Sequence, residues 1–179
     1  MKKSVLLINH VFWPDPHNTA RHISELAMEL GIRGWKVDAL ISNRSYLDHK
    51  KKIKPICGVW NGVRYYRAYV PPFNQKKNLP RILTALWLIV SWITWLPRLE
   101  KYDVIIIGTN PPFAYFIIPF LRLFKRRSKL VMWAFDIYPE AIMVTGKPVW
   151  ILLGFITKQI SRCSYRSLDL LVDIGPCIS

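Results

Sequence analysis

Near its start the chain carries a short unbroken apolar run, Val5-Leu6-Leu7-Ile8, then a turn-rich loop, then apolar residues at helical spacing. An apolar run without alternation is what a strand needs when helices cover both of its faces, as in a parallel sheet. The loop His10-Val11-Phe12-Trp13-Pro14-Asp15-Pro16-His17-Asn18-Thr19 leads to Ile23, Leu26, Ala27 and Leu30, whose spacing gives one apolar helix face. Gly31 and Gly34 close that helix, and Val37-Asp38-Ala39-Leu40-Ile41 reads as a second strand. A strand, a helix and a strand within the first forty residues imply a β-α-β unit with a right-handed crossover. The chain is thereby committed to open as an α/β protein with a doubly wound, mostly parallel, Rossmann-like sheet. The leading Met1-Lys2-Lys3 and the apolar run imitate a signal peptide, but Asn9-His10 stops the run below the length such a segment needs.

The later pattern continues the alternation. Residues 43–80 are polar and basic, with a strand expected at Val63-Arg64-Tyr65-Tyr66-Arg67-Ala68-Tyr69 after Asn61-Gly62. Between Pro80 and Pro97 the segment 81–96 is almost wholly apolar, and as a helix it would be about 24 Å long. The hydrocarbon core of a bilayer is about 30 Å thick, so a full span would be thin-margined. Two readings of this segment stay open: a buried core helix, or a helix half-sunk in the headgroup boundary through its tryptophans and its flanking Arg81 and Arg98. Asp103–Gly108 is a further buried strand, followed by Thr109-Asn110-Pro111-Pro112 and an apolar helix through Phe124. Leu130–Phe135 is the next strand, with Asp136-Ile137-Tyr138-Pro139-Glu140 at its carboxyl end. A helix from about Val149 to Arg166 and a strand Leu168–Ile174 complete the series. The chain stops at Ser179 where another loop is expected to begin, so one domain lacking its last helix is the expectation for residues 1–179.

Composition narrows the partners. The chain is 51% hydrophobic, and its 26 Lys and Arg outnumber 11 Asp and Glu, leaving a formal charge of +15 that favours anionic partners. A mean hydropathy of +0.15 excludes a disordered chain. Cys57, Cys163 and Cys177 form no Cys-x-x-Cys pair, which argues against a disulfide framework and a zinc site and fits a reducing compartment. The basic residues form two clusters, ten between Arg44 and Arg81 opposed by Asp48 alone, and five from Arg122 to Lys129 with no acid. Each cluster lies beside an aromatic, apolar helix, the combination that an anionic bilayer attracts. A solvated basic face is the plainer alternative. No helix-turn-helix, ribonucleoprotein motif or zinc finger is present, so nucleic acid is not an expected partner.

In open α/β sheets ligands sit beyond the carboxyl ends of the strands. The loops there offer Trp13, Asp15, His17 and Asn18, then Thr109 and Asn110, then Asp136, Tyr138 and Glu140. Asp136 is open to two roles, a ligand contact or an N-cap whose helix carries Pro139 and Glu140 in its first turn. His17 and Asn18 stand at a helix amino end, where positive potential suits phosphate. There is no Gly-x-Gly-x-x-Gly and no P-loop lysine, so neither a dinucleotide enzyme nor an NTPase is indicated. His10, His22 and His49 have no ligand spacing and are assigned surface or packing roles; no metal and no cofactor is expected.

These loops resemble the amino-terminal domain of family 4 glycosyltransferases, particularly bacterial enzymes that build surface polysaccharides on polyprenyl-linked acceptors. The resemblance covers essentially the whole chain. It is carried by Phe12-Trp13-Pro14-Asp15, by Glu25-Leu26-Ala27 and Gly34-Trp35-Lys36-Val37, by Thr109-Asn110-Pro111-Pro112, and above all by Asp136-Ile137-Tyr138-Pro139-Glu140. The family usually has small glycines after the first strand, where this chain has Asp15-Pro16-His17-Asn18.

The resemblance implies one half of a two-domain GT-B glycosyltransferase, with the acceptor held mainly by this half and the nucleotide sugar by a second domain. That domain's two glutamates separated by seven residues are not among Glu25, Glu29, Glu100 and Glu140. The implied reaction is retaining transfer of a sugar from a nucleotide sugar to a lipid-linked saccharide, inactive without the donor domain or a separate donor-binding chain. Asp136 is the implied catalytic residue, orienting the acceptor hydroxyl. Trp13, Asp15, Asn110, Tyr138 and Glu140 are the expected acceptor-binding residues, and His17, Asn18 and Thr109 face the nucleotide sugar. Trp87, Trp92, Trp95, Arg81, Arg126 and Arg127 are expected to face the membrane. The expected location is cytoplasmic, at the inner face of the cell membrane; the alternative is a non-catalytic membrane-surface subunit or an inactive remnant.

Overall fold

The computed structural model describes residues 2–46, 48, 50–73, 78–135 and 158–173. Seven strands form one sheet: β1 (Ser4–Ile8), β2 (Lys36–Ser42), β3 (Cys57–Trp60), β4 (Val63–Ala68), β5 (Val104–Gly108), β6 (Lys129–Trp133) and β7 (Leu170–Val172), in the order β3-β4-β2-β1-β5-β6-β7. Every pairing is parallel except the edge pair β3–β4. Without that edge strand the order is that of a doubly wound Rossmann sheet, and the chain changes direction across the sheet between β1 and β5. The expected α/β, Rossmann-like class is the observed one.

Helices cover both faces. α1 (Asn18–Ile32) packs Ile23 and Ala27 against Val5, Leu7, Val37, Ala39 and Ile41, with Phe12 closing this core. α2 (Asn78–Trp95) packs Leu88, Ile89 and Trp92 on the other face against Leu6, Ile8, Leu40, Ile105 and Ile107. Val5 to Ile8 therefore face two cores alternately, which is why the run is continuous rather than alternating. At the end of α1 the chain turns at Gly34, whose φ of +84° is the left-handed region that glycine adopts without a Cβ penalty.

The hairpin β3–β4 adds a strand that the sequence reading placed within a polar excursion. Asn61 and Gly62, both with positive φ, form its turn. The apolar helix expected after β5 is split into a 3-10 turn, Ala114–Ile117, and the short α3 (Ile118–Phe124), entered through Phe113 at φ +67°. Helical residues 158–166 precede β7.

α2 corrects one expectation. Trp92 is fully buried among Leu6, Ile105 and their neighbours, so it is a core residue and not membrane-facing. Trp95 is half-buried with its ring 5.6 Å from that of Tyr66. Trp87, Arg81, Arg126 and Arg127 are exposed. Among the described residues no helix is long and apolar enough to cross a membrane.

A polar clamp sits at the amino ends of the strands. Asp38, buried on β2, accepts from Arg64 Nε at 2.9 Å and Nη2 at 2.7 Å directly across on β4, and from Tyr102 Oη at 2.6 Å. Arg64 also donates to Glu100 at 3.0 Å, and Lys36 reaches the same carboxylate. The bidentate bond to Asp38 holds the Arg64 guanidinium above its usual range, while burial and the same carboxylate raise Tyr102. Removing one partner of such a pair strands a buried charge. Arg64→Met is therefore expected to lower stability by about 3 kcal/mol, the low end for a buried pair because Arg64 is partly exposed, as read from denaturant unfolding midpoints.

Candidate crevice at the strand ends

The carboxyl ends of β1, β2 and β5 converge where the strand order reverses. β1 continues past Ile8 into Asn9 and His10, which stay bonded on both sides. Asn9 N–H donates to Leu40 O and His10 N–H to Asn110 O, and His10 O accepts from Ser42 N–H. Asn9 is wholly buried and its Nδ2 donates to Val11 O at 2.8 Å. Gly108 lies against it so closely that a Cβ at that position would run into the Asn9 amide oxygen. The turn after β1 is thus held tightly between the ends of its two neighbours.

His10 is the centre of the arrangement. It is 5% exposed, its ring meets that of Tyr46 edge-on at 5.5 Å, and Tyr46 in turn packs on His17 at 4.6 Å. Burial pushes the His10 imidazole down to about 4; the Asn110 side chain opposes this, and His17 and Arg81 add positive potential in the same direction as burial. Asp15 is also buried; its Oδ2 accepts from Tyr46 N–H at 2.7 Å, and burial raises its carboxyl above the usual range. Arg67, 2% exposed, donates to Trp13 O at 2.7 Å and to Ser42 O at 3.3 Å and lies over the Tyr65 ring. Desolvation lowers its guanidinium to about 10.

His17 is the N-cap of α1, its Nδ1 accepting from Thr19 N–H at 3.2 Å, and Asn18 follows exposed in the first turn. The amino ends of α1 and α2, with Arg81 and the buried Arg67, make the crevice electropositive and suited to phosphate groups. Trp13 stands at the rim, 40% exposed and stacked on Trp60 with ring centroids 5.1 Å apart. Its N–H donates to Ser24 Oγ at 3.0 Å, tying the loop to α1.

Trp13, Asp15, His17, Asn18, Thr109 and Asn110 are thus gathered at one end of the sheet. Two of them are engaged inside the fold. Thr109 is buried, and its Oγ1 accepts from Phe135 N–H at 2.9 Å, a bond that joins the ends of β5 and β6. Asp15 spends one carboxylate oxygen on the chain after β2. Asp136, Tyr138 and Glu140 lie outside the described residues. His10, Tyr46, Arg67 and Trp60 were missed as members of the site. For His10 a signal existed, since it directly follows the last apolar residue of the central strand; Tyr46 and Arg67 come from the excursion and the edge of the sheet, where no sequence pattern points inward.

No family model matches this sequence, and no curated protein does. Among solved structures it is similar to the sucrose-phosphate synthase of Thermosynechococcus elongatus, with a TM-score of 0.64 at 11% identity. The likeness covers 95% of this chain and 42% of that one. The fold is that of one Rossmann-like half of a GT-B glycosyltransferase. At this identity the likeness speaks for the fold alone, and the chain spans less than half the length of its neighbour.

The burial of His10 carries a pH dependence. Its imidazole binds a proton near pH 6.5 when unfolded and only near 4 when folded, so the stability it allows is present above 6.5 and is lost as the pH falls towards 4. Asp15, raised by burial, acts in the opposite direction. Between neutral pH and about pH 4.5 the natural chain is expected to lose about 2–3 kcal/mol more stability than His10→Gln, measured by denaturant unfolding at each pH.

Proposed function

We propose that this chain is the acceptor-binding half of a retaining glycosyltransferase that moves a sugar from a nucleotide sugar to a lipid-linked saccharide in cell-surface polysaccharide synthesis. The observation that carries the reading is the electropositive crevice at the reversal of strand order, on a fold matching a GT-B half. Transfer from a nucleotide sugar leaves a diphosphate, so charge stabilisation and a well-placed acceptor hydroxyl supply most of the rate. His17 and Asn18 would face the diphosphate. Trp13 and Asn110 would contact the acceptor with Tyr138 and Glu140, and Asp136 would orient its reacting hydroxyl. Asp15, Thr109 and Arg67 would act as positioning residues, through the loops they hold.

The donor domain is supplied by the rest of a longer chain or by a separate protein. With that domain present, transfer from a panel of nucleotide sugars to a polyprenyl-diphosphate-linked saccharide is expected. Asp136→Asn should then lower kcat by about 100-fold or more with little change in acceptor KM, the range of a lost proton-handling group. Unchanged turnover would remove Asp136 from the chemistry.

The acceptor's lipid calls for a nearby bilayer, and the outer face of α2 supports that. Leu79, Leu83, Leu86, Trp87 and Val90 form an exposed apolar stripe, and Phe120, Leu123 and Phe124 of α3 are exposed too. Arg81, Arg126 and Arg127 are exposed on the same helices and the turn after them. Such a face is expected to seat at the headgroups of an anionic cytoplasmic leaflet. The chain should co-sediment with vesicles containing phosphatidylglycerol and not with purely zwitterionic ones, and Leu83→Ser with Trp87→Ser should abolish most of the binding. Equal binding to both vesicle types would exclude the electrostatic part of this assignment.

A further inference from the structure

A second recess lies on the α1 side of the sheet, between that helix and the β3–β4 hairpin. It has a volume of about 320 Å³ and is walled by Trp13, Trp60, Met28, Ser24, Arg21 and Glu25 among others. Its aromatic wall is built deliberately by distant parts of the chain. Trp60 stacks on Trp13 with an interplanar angle of 17° and braces its own edge against Phe12 at 5.7 Å. The hairpin turn is clasped to α1 by Asn61 Nδ2 against Met28 Sδ at 3.2 Å. Even so stacked on one side, Trp13 keeps 40% of its surface open and lines the recess, its indole fixed in orientation rather than folded into the core.

The polar side of the recess carries one cation and two carboxylates. Arg21 Nε donates to Glu25 Oε1 at 2.7 Å, with both side chains at least half exposed. The third charged lining residue, Asp15, spends one carboxylate oxygen on Tyr46 N–H. In a chain of net charge +15 the charged lining here is one arginine against two carboxylates, so anions are drawn to the crevice and not here. An exposed indole face beside a paired donor and acceptor suits a ligand that is apolar on one face and rich in hydroxyls at its edge, and the volume suits a small ligand rather than a protein segment.

We propose that this recess is a saccharide-binding site, in which one pyranose ring lies on the open indole face of Trp13 and its hydroxyls bond the Arg21–Glu25 pair. The site adjoins the crevice: the loop carrying Trp13 and Asp15 also holds Tyr46, whose ring packs on His10 and His17. A ring bound there belongs to the acceptor, at a position removed from the reacting hydroxyl. That last point rests on the glycosyltransferase reading above; the recognition of a pyranose rests on the recess itself.

The test uses the full 179-residue chain, titrated with the methyl pyranosides of glucose, galactose, mannose and N-acetylglucosamine and followed by the indole N–H resonances in NMR. At least one pyranoside is expected to shift the signals of Trp13 and Trp60 and leave that of Trp133 unmoved. Glu25→Ala and Arg21→Ala, whose exposed side chains the fold does not need, should each weaken that binding by about tenfold. Silence of both indoles with every pyranoside, or binding unchanged in both variants, overturns the site. The two readings fail separately. Pyranoside binding by a chain that transfers no sugar even with the donor domain present would sustain the recess and end the glycosyltransferase reading. Transfer with both indoles silent would end the recess proposal alone.

Discussion

The central strand is bonded on both sides beyond its own end. β1 pairs with β2 and β5 through Ile8, and Asn9 and His10 then extend the pairing by three backbone bonds, to Leu40, Asn110 and Ser42. Because these neighbours lie on opposite sides of the strand-order reversal, the extension fixes the two halves of the sheet relative to each other at their carboxyl ends. Everything proposed for the crevice depends on it. The loop bearing Trp13, Asp15 and His17 leaves from His10, and Gly108 leaves room for Asn9 because it has no side chain. A buried amide and a buried imidazole at this junction cost desolvation, which is visible in the lowered affinity of His10 for a proton.

The excess of positive charge is handled in two ways. Some of it is buried and bonded to backbone carbonyls: Arg67 to Trp13 and Ser42, Arg44 to Val70 and Lys50, Lys125 to Leu99 and Glu100. These cations tie irregular segments to the sheet, since one guanidinium can reach two loops that share no ladder of their own. The rest is exposed, around the apolar faces of α2 and α3 and near the crevice, where it is available to anionic partners. The acidic clamp at Asp38 lies at the opposite end of the strands, so the two ends of the sheet have distinct characters: a neutralised amino end that serves stability and an electropositive carboxyl end open to ligands.

The expectations that failed did so for a common reason. Trp92 was assigned to a membrane surface from its place in an apolar helix with basic ends, but an apolar helix has two faces and periodicity cannot say which one meets the sheet. In the fold, Trp92 shares a face with Leu88 and Ile89 against β1 and β5, while Leu83, Trp87 and Val90 take the other. β3 was read as part of a loop because its four residues alternate weakly and gain their partner only when Asn61 and Gly62 reverse the chain. His10 is open to a surface or a packing role in the sequence, and the fold buries it; its company of Tyr46, His17 and Asn110 was invisible because these come from three separate loops.

What the sequence determined by itself is the class of the fold and the end of the sheet where chemistry belongs. Apolar runs separated by helical periodicity admit few arrangements other than a parallel sheet covered on both faces, and turn-rich loops after its strands can meet only at their carboxyl ends. What the tertiary structure alone decided is which side chains share a space. It set Trp60 on Trp13, Tyr46 between two histidines and Arg67 beneath the loop of Trp13, and it turned Thr109 and Asp15 into the fold. The physical reason is that backbone pattern is local, set by residues three to five positions apart, whereas burial and electrostatic environment depend on segments that approach only once the strands have paired.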